Sequence, residues 1–130
     1  QLKTVEDLMI TGKGIPFINE NMDMKNALNF ITKKKLGVLI AINNKKLTTG
    51  IITDGQIRRS SQKNNDLKNL LVKNVMTKDP ISVYKDTLAS KGLSIMSEKK
   101  ITSLCVHKSK NKKKTIGLLH IHHIISANIH

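Results

Sequence analysis

The feature that most constrains the fold of this chain is an internal repeat. Four pairs of segments correspond in the same order along the two halves: "VEDLM" and "VKNVM", "IPFI" and "PISV", "ALNFITKKKLGVLIAI" and "GLSIMSEKKITSLCVH", and "GIITDGQI" and "GLLHIHHI". The extra residues of the second half fall in "KSKNKKK" (108–114), a loop by composition, where insertions are tolerated. The chain is therefore predicted to contain two copies of one supersecondary unit.

Hydrophobic periodicity predicts the same order of elements in each half, namely strand, helix, strand, strand and helix. The predicted pairs are strands at 17–18 and 81–83, helices with apolar faces at 27–31 and 88–96, strands at 38–42 and 104–106, strands beginning at Gly50 and Gly117, and closing helices beginning at Asp54 and near His122. Asp23 and Asp86 precede the first helices and are expected to cap them.

The predicted fold class is α/β (α+β), with one β-α-β-β-α unit in each half. The first repeat, with an N-terminal linker, spans 1–66, and the second spans 67–130. A unit of about 60 residues buries little surface alone, so we expect the two to pack together with pseudo-two-fold symmetry.

The net charge of +14 suggests a polyanionic partner, but the composition argues against nucleic acid. The 23 basic residues include two arginines, Arg58 and Arg59, and the aromatic residues are two Phe and one Tyr. Without more aromatic side chains there is no platform on which bases could stack. We expect no nucleic-acid partner.

The remaining bulk features favour a cytoplasmic protein and a piece of a longer chain. No apolar run approaches the roughly 20 residues that span a bilayer, so no membrane partner is expected. The single cysteine, Cys105, has no partner for an internal disulfide, which suits a reducing compartment. The chain begins at Gln1 without a charged and apolar leader, and we expect a further segment to precede it.

Two copies of this element order, each with a Gly-apolar-apolar corner before its last helix, resemble a tandem pair of CBS domains, or Bateman module. The strings "GIITDGQIRR", "KKLGVLIAI", "VKNVMT" and "IGLLHIHHII" are similar to the C-terminal regulatory region of bacterial D-arabinose 5-phosphate isomerases of the sugar-isomerase type. The resemblance covers essentially the whole chain.

The resemblance implies a parent enzyme whose N-terminal sugar-isomerase domain interconverts ribulose 5-phosphate and arabinose 5-phosphate for synthesis of the lipopolysaccharide sugar Kdo. The two repeats themselves would catalyse nothing and would have no cofactor. They would bind a nucleotide effector of the CMP or AMP/ATP type, and would pair with a second copy as a homodimer within a larger homo-oligomer. The alternative is a purely structural oligomerisation domain whose ligand sites have decayed.

In CBS domains a Ser or Thr at the end of the last strand, and an Asp three residues later, hold a nucleotide. Mapped onto the first corner, the resemblance places Thr53 at the hydroxyl position and Gln56 at the Asp position, where an amide lacks the charge of a carboxylate. Asp54 is interpreted as a cap or turn residue. Arg58 and Arg59 are either a solvated helix face or phosphate contacts.

In the second corner His120 and His123 occupy these two positions, with His122 beside them. Three interpretations stay open for this cluster: contacts to phosphate or nucleotide, surface histidines without a ligand, and a metal site through His120 and His123. Pro16 and Ile81 precede the first strand of each half, where the resemblance places backbone groups along the ligand cleft.

Overall fold

The computed structural model describes residues 2–63 and 66–129. Its helices and strands, in chain order, are α1 (Val5–Leu8), β1 (Phe17–Asn19), α2 (Met24–Lys34), β2 (Val38–Ile42), β3 (Thr48–Thr53), α3 (Asp54–Lys63), α4 (Val72–Val75), β4 (Thr77–Lys78), β5 (Ser82–Tyr84), α5 (Ala89–Lys99), β6 (Ser103–His107), β7 (Gly117–His120) and α6 (Ile121–Ser126). Short 3-10 helices lie at Gly12–Gly14 and Leu67–Asn69. The predicted order of strand, helix, strand, strand and helix is confirmed in both halves.

The chain divides into two compact units. The first unit is Pro16–Pro80, and the second unit is Ile81–His130 together with Gln1–Ile15. Each unit thus contains the short helix that leads into the other sequence repeat: α1 lies in the second unit and α4 in the first. The predicted boundaries at 1–66 and 67–130 follow the repeat in the sequence. The compact units differ from these repeats because each contains the lead-in helix of the other.

The first unit is built on a sheet of order β1-β2-β3-β4, in which β1 is parallel to β2 and the other pairs are antiparallel. One face of this sheet packs against α2 and α4. Its core is made of fully or nearly buried apolar side chains, among them Ile18, Met24, Leu39, Ile52 and Val72.

The second unit repeats this arrangement with a sheet of order β5-β6-β7. Its core includes Val5, Met96, Leu104 and Leu119, all at most 1% exposed. Gly92 allows α5 to lie close to the Leu119 side chain of β7, because a Cβ at position 92 would lie 2.9 Å from the Leu119 Cδ2 atom. The glycine in the middle of a helix is therefore explained by packing.

Only one of the two predicted helix caps is present. The Asp23 carboxylate accepts a hydrogen bond from the Asn26 backbone N–H at 2.9 Å, which confirms the cap of α2. Asp86 does not cap α5: the residue before that helix is Leu88, 40% exposed, and the Asp86 carboxylate instead accepts from Lys85 Nζ at 2.9 Å. The prediction for Asp86 was wrong because the helix begins three residues after it.

The sheet faces opposite the two cores differ in polarity. Alternation along β2 and β3 places Val38, Ile40 and Ile51 on this face in the first unit. The corresponding residues of the second unit are Ser103, Cys105 and Leu118. The last residues of β3 and β7, Thr53 and His120, lie on the same faces, paired with Val38 and Ser103. The two faces therefore differ at two positions: a serine replaces Val38 at the start of the strand, and a histidine replaces Thr53 at the corner.

Candidate functional site

The two strand-to-helix corners, β3 to α3 and β7 to α6, are closed by the same backbone hydrogen bond. In the first corner the Asp54 N–H donates to the Gly37 carbonyl at 3.0 Å. In the second corner the Ile121 N–H donates to the Thr102 carbonyl at 2.9 Å. Each closing helix thus begins beside the residue that precedes the second strand of its sheet, β2 or β6.

Thr53 has a structural task in the first corner. Its half-buried Oγ1 accepts a hydrogen bond from the Gln56 backbone N–H at 3.2 Å, as an N-cap does. The hydroxyl can still donate its own hydrogen to a ligand. The N–H groups of Asp54 and Gln56 are already used by Gly37 and Thr53, so neither is available to a phosphate.

The Gln56 side chain ties α3 to the end of α4. Its Nε2 donates a short hydrogen bond to the carbonyl of Val75, a residue that is 7% exposed. A carboxylate at this position could only accept, so it could not make this bond. The amide therefore has a structural function that the sequence comparison of the two halves does not indicate.

Asp54, Arg58 and Arg59 are exposed and surround the start of α3. A Cβ at Gly55 would lie 3.3 Å from Arg59 Nη1 and 3.9 Å from Arg58 Nη2, so both guanidinium groups are close to the first turn. In the described part of the chain no carboxylate forms an ion pair with either of them. This arrangement places two bidentate phosphate donors at one helix end.

Gly37 makes room for the Asp54 carboxylate. Its φ of +70° is a left-handed conformation, and a Cβ here would lie 2.8 Å from Asp54 Oδ2. Any other residue would be strained and would displace the carboxylate.

Pro16 and Ile81 occupy equivalent places in the two units. The Pro16 carbonyl accepts from the Ile40 N–H at 2.8 Å, and the Ile81 carbonyl accepts from the Cys105 N–H at 3.3 Å. Pro16 is buried, whereas the Ile81 side chain is 39% exposed. Both carbonyls are therefore already engaged in the hydrogen bonding between the first two strands of their sheets.

The second corner brings the three predicted histidines together. His120 is 5% exposed, and its Nδ1 accepts from the His122 backbone N–H at 3.2 Å. The His120 ring is stacked on the His122 ring with a centroid distance of 4.9 Å, and the exposed His123 ring lies edge-on at 6.2 Å. Across residues 2–63 and 66–129, no group of three or more His, Cys, Asp or Glu side chains is arranged to hold a metal ion.

Ser103 is a polar residue of this corner that the sequence reasoning missed. It is 7% exposed and pairs with His120 across β6 and β7. The available signal was the repeat itself, because Ser103 corresponds to Val38 of the first half. At this position of the repeat a buried apolar side chain in the first half is replaced in the second by a buried hydroxyl capable of hydrogen bonding.

Cys105 lies two residues further along β6 and is inert. It is 1% exposed, and burial raises the pKa of its thiol to about 11, against a partly opposing hydrogen bond with Thr115. The thiol is therefore protonated at neutral pH and is a poor nucleophile.

A family model described as "CBS domain" matches residues 5–63 and 72–130, nearly the whole chain in two copies. The chain belongs to the CBS-domain family. Each match ends in one of the two corners and its closing helix.

Proteins named arabinose 5-phosphate isomerase KdsD are similar to this CBS pair. The Salmonella typhi protein is 34% identical over 128 residues, and the Escherichia coli K12 protein is 32% identical over the same length. In both cases the match covers 98% of this chain but 38% of the relative. The chain thus corresponds to the CBS region of these isomerases, which confirms the resemblance read from the sequence.

Solved CBS structures share the fold of this CBS pair. The CBS-domain protein ATU1752 of Agrobacterium tumefaciens has a TM-score of 0.88 at 15% identity, covering 99% of this chain and 96% of its own. CBSX2, solved in complex with AMP, has a TM-score of 0.82 at 21% identity and covers 97% and 96%. The CBS pair of MJ0100, solved with 5′-methylthioadenosine and S-adenosyl-L-methionine, has a TM-score of 0.84 at 17% identity, and the match covers 98% of this chain and 97% of that chain. The tandem CBS fold is confirmed.

Beyond this fold, the described residues contain no helix with the length and apolar character needed to cross a bilayer.

Proposed function

We propose that this CBS pair is the regulatory region of an arabinose 5-phosphate isomerase and that it binds a nucleotide. The observation that carries the proposal is the corner used once in each unit, where polar side chains gather at the end of a strand. The first corner supplies the Thr53 hydroxyl and the Arg58 and Arg59 guanidinium groups, and the second supplies imidazoles.

The comparisons supply the context for this proposal. The relatives that match 98% of this chain are named as isomerases, and the match leaves most of their length for another domain. Two structural neighbours were solved with an adenine nucleotide or adenosine derivatives. We therefore propose an N-terminal sugar-isomerase domain as the partner within the parent chain, and a nucleotide as the signal that the CBS pair reports to it.

The proposed ligand is a cytidine or adenine nucleotide. CMP is attractive because the sugar Kdo, to whose synthesis arabinose 5-phosphate would contribute, is used as a CMP-linked sugar, so that binding would give feedback. Isothermal titration calorimetry with CMP, AMP, ATP and CMP-Kdo tests the proposal. We expect heat of binding from at least one of them, and no heat from any at millimolar concentration would refute it.

A second candidate function, a structural oligomerisation domain with decayed sites, is favoured by the hydrogen bonds of the first corner. Gln56 is engaged with Val75, and the N–H groups of residues 54 and 56 are occupied within the corner. Under this alternative, Gln56→Asp and His123→Asp together would create nucleotide binding that the unmodified chain lacks. Under the leading proposal the unmodified chain binds a nucleotide, and the double variant loses it.

Oligomeric state provides a separate measurement. We propose that CBS pairs associate as dimers within a larger assembly of the parent protein. Analytical ultracentrifugation of this chain, with and without the nucleotide that gives heat, tests this part: a monomer under both conditions would contradict it.

A further inference from the structure

The hydroxyl of Ser103 is buried without a hydrogen-bond partner. Among the described residues it is the one buried side-chain oxygen or nitrogen for which none is found. A buried hydroxyl in this state costs the unliganded protein free energy, because it has lost its contact with water and gained nothing in return. Such a group needs an explanation, and a ligand that accepts its hydrogen is one.

Ser103 is placed in the second corner by the sheet register. It is the first residue of β6 and lies directly opposite His120, the last residue of β7. Side chains directly opposite each other in an antiparallel pair project from the same face. The neighbouring hydrogen bond from the Ile121 N–H to the Thr102 carbonyl fixes this end of the sheet.

The polar groups around Ser103 carry no negative charge of their own. The His122 and His123 rings lie 4.9 and 6.2 Å from the ring of His120, and both residues are exposed. The segments 99–107 and 117–130 contain no Asp or Glu. A hydroxyl and imidazole N–H groups are hydrogen-bond donors, so the chemistry suits a ligand group rich in acceptors and negative charge, as a phosphate is.

The first corner does not have this hydroxyl. Val38 stands in the place of Ser103 and is paired with Thr53 across β2 and β3. The valine is 1% exposed and needs no partner. The orphan donor is therefore a property of the second corner alone.

We propose that Ser103 donates its hydroxyl to the phosphate group of a nucleotide bound at the second corner, with His122 and His123 as further donors. The inference rests on the proposed nucleotide-binding function and names the part of the ligand that this corner recognises. It gives the second corner a phosphate-binding role that does not depend on the Asp position, which His123 occupies.

The test compares Ser103→Ala with the unmodified chain by calorimetry and thermal unfolding, using CMP, AMP, the nucleosides cytidine and adenosine, and inorganic phosphate as probes. Ser103→Ala should weaken nucleotide binding roughly tenfold or more, the usual effect of losing a hydrogen bond to a charged group, while nucleoside binding stays unchanged. The melting temperature without ligand should stay the same or rise, since the substitution removes an unsatisfied hydroxyl. Ser94→Ala, on the exposed side of α5, is the matched control and should change neither quantity.

Each other outcome has a definite meaning. If the unmodified chain binds a nucleotide and Ser103→Ala binds it equally well, this inference is wrong and the proposed function stands. If Ser103→Ala lowers the melting temperature without ligand, the hydroxyl has a structural partner and the inference is also overturned. If no nucleotide binds but inorganic phosphate does, and Ser103→Ala abolishes it, the phosphate site stands and the nucleotide function fails. Ser103→Cys, of similar volume, repeats the binding measurement should the alanine variant not fold.

Discussion

Replacing Gln56 should reveal whether its amide is a structural tether or part of a ligand site. In Gln56→Ala the Val75 carbonyl loses its hydrogen bond from Nε2 and stays in a place where its residue is 7% exposed. Losing one hydrogen bond and leaving a buried acceptor unsatisfied typically costs about 1–3 kcal/mol of the free energy of unfolding. We expect a loss in this range, and no change in the affinity for any nucleotide that the unmodified chain binds.

The Gln56→Glu variant adds a pH dependence, because it keeps the volume but exchanges the donor for an acceptor. At neutral pH its carboxylate would face the Val75 carbonyl, and the variant should be at least as destabilised as Gln56→Ala. Protonation lets the side chain donate again. Its pKa in the folded state is then raised, so the stability is present at low pH and is lost as the pH rises through that pKa.

Urea unfolding at pH 7 and at about pH 4, near the usual carboxyl pKa, measures the difference between the two variants. The control is His123→Ala, the corresponding position of the second corner, which is exposed and should change the free energy of unfolding by less than about 0.5 kcal/mol. Equal stability of Gln56→Ala and the unmodified chain would refute the tether. A loss of nucleotide affinity in Gln56→Ala without a loss of stability would show instead that the amide contacts the ligand.

Three further predictions concern single positions. Asp23→Ala should cost about 1 kcal/mol in urea unfolding through loss of the α2 cap, whereas Asp86→Ala, which caps nothing, should cost clearly less. Cys105, whose thiol pKa is raised to about 11 by burial, should lower the stability by about 2 kcal/mol as the pH rises from 9 to 11; Cys105→Ala should reduce the fall in stability by that amount, and an unchanged fall would contradict the assignment. Gly117→Ala should destabilise the second unit by roughly 1–3 kcal/mol, because the added Cβ would overlap Met9 and approach the Ile10 carbonyl to 3.1 Å; a neutral effect in thermal unfolding would show that this contact relaxes easily.

The repeat and the apolar patterns were sufficient to predict the order of elements, because buried strands and amphipathic helices leave periodic traces in the sequence. The strands from Val38 and from Gly117 begin where the pattern placed them, and α3 begins at Asp54. The starts of helices depend on cap geometry as well as on periodicity. Asp23 and Asp86 look alike in sequence, but α5 begins later relative to its aspartate, and a cap requires the carboxylate to reach a specific N–H.

The exchange of the lead-in helices was beyond the reach of local patterns. "VEDLM" and "VKNVM" are amphipathic in the same way, and nothing in either segment says which sheet it will cover. Val5 is fully buried against the core of the second unit, and Val72 is fully buried against that of the first. Which pairing forms is decided by contacts between residues far apart in sequence, which periodicity does not encode.

The two corners share one backbone arrangement but use their polar side chains differently. In the first corner the position expected to accept from a ribose is Gln56, and its amide hydrogen is used to hold α4. In the second corner the corresponding His123 is exposed, while a donor without a partner, Ser103, is found on the strand opposite His120. The Gln56 amide of the first unit thus has a hydrogen-bond acceptor within the chain, whereas the Ser103 hydroxyl of the second unit has none among the described residues. An unsatisfied buried donor lowers stability, and an acceptor that arrives from outside the chain would satisfy it. We therefore expect the phosphate of a nucleotide bound at the second corner to be held through the Ser103 hydroxyl.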